Sequence, residues 1–116
     1  MQSTIHIVYA NYRNEARRRN REFSINVDDF YKITQQNCVY CGTPPRTIVK
    51  SKKKGRKEFY YNGIDRIDNN LGYVVGNMAP CCKLCNQLKR KLTVKEFLNH
   101  VKNIYLFQEK LNGSGC

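Results

Sequence analysis

The chain has 116 residues, 41% of them hydrophobic, with a mean hydropathy of −0.68, which suits one compact domain and leaves no room for a second core. No apolar run reaches membrane-spanning length, and the N-terminus lacks the basic-then-apolar order of a secretory signal; an intracellular, reducing compartment is expected, cytoplasmic or nucleoid/nuclear, with no membrane contact. Lysine and arginine number 21 against 9 acids, a formal charge of +12, so a polyanion is the matching partner, nucleic acid before any other.

Residues 3–21 contain no glycine or proline and place Ile5, Val8, Tyr9 and Tyr12 at helical spacing, which predicts a first helix. Its second half carries five arginines in nine residues, among them Arg17, Arg18 and Arg19. Such crowding is self-repulsive unless phosphates lie nearby, so these side chains are expected to contact nucleic acid. The segment from Ser24 offers a capping residue, early acids and then apolar spacing, predicting a short helix over 27–36 with Phe30, Tyr31 and Ile33 in the core. Residues 1–37 therefore form an N-terminal basic helical region.

Two cysteine pairs follow, Cys38-x2-Cys41 and Cys82-x2-Cys85. Six cysteines in an unsecreted chain favour metal over disulfides, and the x2 spacing lets both thiolates of a pair reach one tetrahedral Zn2+. Cys81 offers a competing C-x3-C pairing with Cys85; the x2 pairing is preferred, leaving Cys81 as a small buried residue. Between the pairs, residues 50–57 form a basic insertion bearing Lys52, Lys53, Lys54, Arg56 and Lys57, suited to tracking phosphates or to nuclear import. A strand is expected from Phe59 through Ile64 and Ile67, then a turn-rich stretch, then a second strand at Tyr73-Val74-Val75 that Pro80 stops.

After Cys82 the chain turns helical through Asn86, Leu88 and Lys91. Thr93-Val-Lys-Glu96 has capping-box spacing and opens a last helix to about Glu109, with Phe97, Leu98, Val101, Ile104 and Tyr105 as its apolar stripe and His100 partly buried beside it. Residues 38–92 are thus one zinc-bound core, 93–111 a C-terminal helix and 112–116, with Cys116, a disordered tail.

Gly63-Ile-Asp65-Arg66-Ile-Asp68, Gly76-Asn77 and Cys82-x2-Cys85-Asn86-x2-Lys89 together resemble the HNH endonucleases over residues 38–91. The resemblance implies an α+β fold: a small zinc-stabilised ββα-metal (HNH, His-Me finger) core with flanking N- and C-terminal helices. It implies a metal-dependent endonuclease that hydrolyses phosphodiesters of double-stranded DNA, nicking it or cutting both strands as a possible homodimer, although no coiled-coil seam is visible. Asp65 and Asn86 would ligate a catalytic Mg2+ or Mn2+, Asn77 would tie the hairpin loop together, and Lys89 and Arg90 would add to the nucleic-acid surface. Most members carry a histidine after the strand aspartate, where this chain has Arg66.

A guanidinium cannot take a proton from water near neutral pH, but it can clamp a phosphate. Three accounts of Arg66 follow: a tyrosine such as Tyr60, Tyr61 or Tyr73 assists, the metal activates water without a protein base, or the domain binds without cutting. Asp68 is placed either to join the metal or to cap its turn. The alternatives to an enzyme are a catalytically impaired zinc-containing DNA/RNA-binding module and a ribonucleoprotein subunit.

Overall fold

The computed structural model describes residues 4–50 and 58–115, and among these it places four helices and two antiparallel two-stranded sheets. Helix α1 (Ile5–Arg18) buries Ile5, Val8 and Ala16. Its end is local chemistry. Asn20 takes φ 58°, a left-handed conformation that asparagine tolerates better than most residues. The Asn20 N–H donates to Arg17 O at 3.1 Å and the Arg21 N–H to Ala16 O at 2.7 Å, closing a Schellman-type turn. Helix α2 (Val27–Thr34) starts where the Asn26 side chain accepts from the Asp29 amide at 2.8 Å, and Asp28 and Asp29 sit favourably in its first turn.

Phe30 is the centre of the core. It is fully buried with Ile5, Val8, Ile25, Phe59 and Ile64 around it, and the rings of Tyr9 and Tyr12 meet it edge-on at 5.3 and 5.4 Å. Deleting that ring leaves a hole among three elements. Phe30→Ala is expected to cost about 3–5 kcal/mol in a chemical-denaturation curve, and a loss below 1 kcal/mol would mean that the surrounding rings close over the gap.

Strand β1 (Thr47–Val49) pairs with β2 (Phe59–Tyr61), and β3 (Gly63–Arg66) pairs with β4 (Met78–Cys81). Three strand expectations are corrected here. The single strand from Phe59 to Ile67 is broken at Asn62, which is buried and turned inward: its Nδ2 donates to Gln36 O at 2.9 Å and Thr43 O at 3.1 Å, and its N–H to Thr34 O. Tyr73-Val74-Val75 is no strand; Tyr73 makes one isolated bridge to Phe23. The returning strand is Met78–Cys81, with Pro80 inside it opposite Ile64. A two-stranded sheet leaves amides on each outer edge without a ladder partner, so a proline costs little there.

Helix α3 (Lys83–Lys89) follows β4 directly, and α4 (Val94–Gly115) closes the chain. Thr93 and Glu96 form the reciprocal box expected of them: the Thr93 N–H donates to Glu96 Oε1 at 2.9 Å and the Glu96 N–H to Thr93 Oγ1 at 3.1 Å. The apolar stripe of α4 is not core. Phe97 is buried, but Val101, Ile104 and Tyr105 are 45%, 51% and 62% exposed, because the helix leaves the body of the protein after its first turn. His100 is likewise exposed, and the helix runs through Gly115, past the expected end at Glu109 and into the expected tail. Cys116 and the basic residues Lys52, Lys53, Lys54, Arg56 and Lys57 lie outside the described residues.

Candidate functional site

The two cysteine pairs meet at the junction of β4 and α3. All four sulfurs of Cys38, Cys41, Cys82 and Cys85 lie within 4.8 Å of one another, and those of Cys41 and Cys82 are 3.7 Å apart. A tetrahedron with arms of about 2.3 Å has edges of about 3.8 Å, so this set fits a metal ion such as zinc. Cys81 is outside the set; its buried thiol points to Cys82 O. Burial alone would raise the Cys38 pKa, but the amides of Cys41, Cys82 and Tyr40 outweigh it and bring the thiol down to about 6. Burial instead pushes Cys82 and Cys85 up. Loading a metal on these thiols must therefore release protons.

The clamp joins two remote pieces of chain. The Val39 N–H donates to Pro80 O at 2.8 Å, fastening the first cysteine pair to β4. Tyr40, between Cys38 and Cys41, reaches across to β3 and donates its hydroxyl to Asp65 Oδ2 at 2.5 Å. Its ring meets Phe97 of α4 edge-on at 5.4 Å. Burial, followed by the bond to Asp65, pushes the Tyr40 hydroxyl upward, so it stays a donor. The other carboxylate oxygen accepts from Lys89 Nζ at 3.3 Å. Both side chains of that ion pair are interior, at 0% and 5% exposure.

Gly63 and Asp65 share the face of β3 that alternation turns toward α3. A side chain at Gly63 would collide with the Tyr12 hydroxyl, 2.5 Å from where its Cβ would stand, with Asn86 Nδ2 3.8 Å away. That hydroxyl accepts from the Ile64 N–H at 3.1 Å, so α1 is tied directly to β3. Asn86 is half-buried on α3, lies beside Gly63, and its carboxamide makes no hydrogen bond among the described residues. It opens onto a cleft of about 750 Å³ lined by Arg19, Arg21, Arg66, Asn69, Asn70, Gln87, Arg90 and Lys91 as well. Five of those are cations and none is an acid.

Two guanidiniums from distant parts of the sequence face this cleft together. Burial and then the charge of Arg66 lower the pKa of Arg21, a sign of unneutralised positive charge. Arg66 is braced by donating its Nη1 to Asn69 O at 2.8 Å and Leu71 O at 2.9 Å, and it stands over the Tyr73 ring at 5.9 Å. The loop it grips is held from the other side by Asn77, whose Oδ1 accepts from the Asp68 N–H at 2.7 Å and whose Nδ2 donates to Asp68 O and Gly72 O. Asn69 Nδ2 donates to Lys91 O at 2.8 Å, joining the loop to the turn that follows α3.

No family model matches the sequence. The chain is 32% identical over 90 residues to the uncharacterized protein R423 of Acanthamoeba polyphaga mimivirus, an alignment covering 78% of this chain and 15% of that one. It is 27% identical over 84 residues to an uncharacterized 29.0 kDa protein from the dda-modA intergenic region of Enterobacteria phage T4, covering 72% and 31%. The chain thus spans less than a third of the length of either relative. Among solved structures it resembles the rare-cutting HNH restriction endonuclease PacI, with a TM-score of 0.60, 21% identity, and coverage of 80% of this chain and 70% of that one. The fold is HNH-like: a small mixed α and β structure with four helices among the described residues.

The expected site residues do not share one outcome. Cys38, Cys41, Cys82 and Cys85 come together. Asp65 and Asn86 stand on the facing elements β3 and α3, but the cleft that Asn86 lines does not include Asp65, whose oxygens are engaged by Tyr40 and Lys89. Lys89 is a correction: expected to reach nucleic acid, it is wholly buried, because an interior carboxylate demands a cation.

Arg19 and Arg90 line the cleft, while Arg17 is exposed and lines a separate hollow with Arg13 and Arg21. Arg18 and Arg19 are also paired with Glu15, at 2.5 and 2.6 Å. These exposed pairs contribute little and exchange readily. Asp68 caps its own turn, accepting from the Asn70 N–H at 2.9 Å. Among the tyrosines offered as assistants, the Tyr60 hydroxyl donates to Glu58 and burial raises the pKa of Tyr61. Sequence reasoning did not single out Tyr40 or Lys91, and it held Arg21 only as one of five crowded arginines. A tyrosine between knuckle cysteines carries no distinctive signal.

No helix among the described residues is long and apolar enough to cross a membrane.

Proposed function

We propose that this domain is a metal-dependent HNH-type endonuclease that hydrolyses DNA phosphodiester bonds, with zinc on the four cysteines. The observation that carries the reading is the acid-free cleft that brings Arg21, Arg66 and Arg90 beside Asn86 on an HNH-like frame. A dianionic or polyanionic guest is the natural occupant of five cations, and a nucleic-acid strand presents phosphates in series. Guanidiniums grip phosphate oxygens in pairs, and Arg66 is pre-set for this by its two bonds to the loop.

Asp65 and Asn86 would hold a catalytic Mg2+ or Mn2+. The donors suit such an ion: both are hard oxygens, the Asn86 carboxamide is unengaged, and a carboxylate has about four acceptor sites of which two are used here. Once bound, that ion supplies Lewis-acid stabilisation of negative charge on the phosphodiester. The chain's own contributions are positional. Asn77 fixes the loop that Arg66 grips, Tyr40 fixes the carboxylate, and the thiolate clamp holds the first knuckle against the junction of β4 and α3. Arg66 binds phosphate and takes no proton.

The test is a supercoiled plasmid incubated with zinc-loaded protein. Nicked circles are expected on addition of Mg2+ or Mn2+, with DNA binding that weakens steeply as salt rises. Binding without nicking across metals and substrates would sink the enzyme reading. A second reading, a binding module without cleavage, draws on the closure of Asp65 by Lys89 and Tyr40. It expects DNA affinity to survive both Asp65→Asn and Asn86→Ala.

A further inference from the structure

Lys89 is a wholly buried cation that the proposed reaction does not use. Its ammonium has three donors, yet among the described residues it makes one hydrogen bond, to Asp65 Oδ1, and that bond is long at 3.3 Å. The opposite oxygen is gripped far more tightly, by Tyr40 at 2.5 Å. One side of the carboxylate is therefore anchored while the other faces a lightly held and replaceable charge.

The position of that charge matters. Lys89 lies one turn beyond Asn86 on the same helix, so the two side chains are neighbours on the surface turned to β3. Arg90, the next residue, already lines the phosphate cleft.

We infer that the Lys89 ammonium and a divalent ion are alternative partners of Asp65 Oδ1, with Tyr40 holding the carboxylate still while one replaces the other. The inference rests on the reading of Asp65 as a metal ligand. Lys89 is then a positioning residue: it keeps a buried carboxylate charged and correctly turned, and it lowers the affinity for the ion because the ion must displace it. A binding-competent state reached only after a competitor departs has its apparent affinity reduced by the fraction in which the competitor is absent.

The experiment is calorimetric titration of Mn2+ into zinc-loaded full-length protein, with melting curves confirming that each variant is folded. Lys89→Met removes the competitor and is expected to tighten Mn2+ binding by about tenfold, while Lys89→Arg, a bidentate and stickier partner, is expected to weaken it by about tenfold. Asp65→Asn, alone or with Lys89→Met, is expected to bind no Mn2+ at this site. Lys89→Met that binds no tighter than the natural protein would overturn the competition, as would Lys89→Arg binding equally well should the methionine variant not fold. A different failure is distinguishable: if Asp65→Asn leaves Mn2+ binding intact, Asp65 is not a metal ligand and the proposed catalytic centre falls with it.

Discussion

Stripping the metal from the four-cysteine site, or replacing Cys82 with serine, is expected to unfold residues 38–92 at room temperature. The cluster formed by Cys38, Cys81, Cys82 and Cys85 has Tyr40 as the partly buried hydrophobic side chain packed on it, so apolar burial alone cannot hold the first knuckle against β4. Structural zinc supplies about 10–16 kcal/mol in small domains, as much as the whole net stability of a typical protein, about 5–15 kcal/mol. Loss of the ion should therefore abolish the cooperative melting transition seen by circular dichroism, and restored zinc should bring it back at one equivalent. Cys81→Ala is the control. Its sulfur lies outside the ligand set, so that variant should keep a full equivalent of metal. A chelated protein that melts like the loaded one would show that the four thiols hold nothing of structural consequence.

Asp65→Asn is expected to do two separable things. Cleavage should fall by about a thousandfold or more, since a metal's stabilisation of the transition state is worth several kcal/mol and each 1.4 kcal/mol is about tenfold in rate. Stability should fall as well, by about 3–5 kcal/mol, because the Lys89 ammonium is left in the interior without its counter-charge. Adding Lys89→Met to Asp65→Asn should recover much of the stability and none of the cleavage. That divergence distinguishes a ligand from a merely structural carboxylate, and plasmid nicking beside urea unfolding measures it. A single variant that still nicks at the natural rate removes Asp65 from the chemistry. A double variant that regains both would mean that the first effect was only unfolding.

The structural basis of both expectations is one continuous path. The thiolate knuckle carries Tyr40, Tyr40 holds Asp65, Asp65 pairs with Lys89, and Lys89 sits on the helix that also carries Asn86. Through Asn86 that helix opens onto the arginine cleft. Cysteine cluster, carboxylate and arginine cleft are thus parts of one packed unit, and damage to the cluster should be felt at the cleft.

Much of this was legible from residue order, and the legible parts share a cause. A capping box, a helix-ending asparagine and an x2 cysteine pair are all defined by residues within a few positions of one another. Thr93 with Glu96 and Cys38 with Cys41 therefore announce themselves, and two like pairs imply that the four cysteines meet. Net charge is a plain count, so the expectation of a polyanionic partner needs no structure.

Other features depended on what packs against what. Tyr73-Val74-Val75 has strand-like residues, but the strand is Met78–Cys81, because its register against β3 lets Asn77 close the loop and puts Cys82 in the clamp. The α4 stripe looked like core from its spacing, yet spacing shows that a face is apolar and not that anything covers it. Lys89 read as a surface cation until β3 set a carboxylate opposite it. Arg21 and Arg66, forty-five positions apart in sequence, share a cleft because the chain just after α1 is bonded to the β3–β4 loop, the Tyr73 N–H donating to Glu22 O. Local capping, charge and the pairing of the cysteines belonged to the sequence alone; strand register, the burial of Lys89 and the convergence of the arginines were decided by long-range packing, in which each side chain's environment is supplied by residues far from it along the chain.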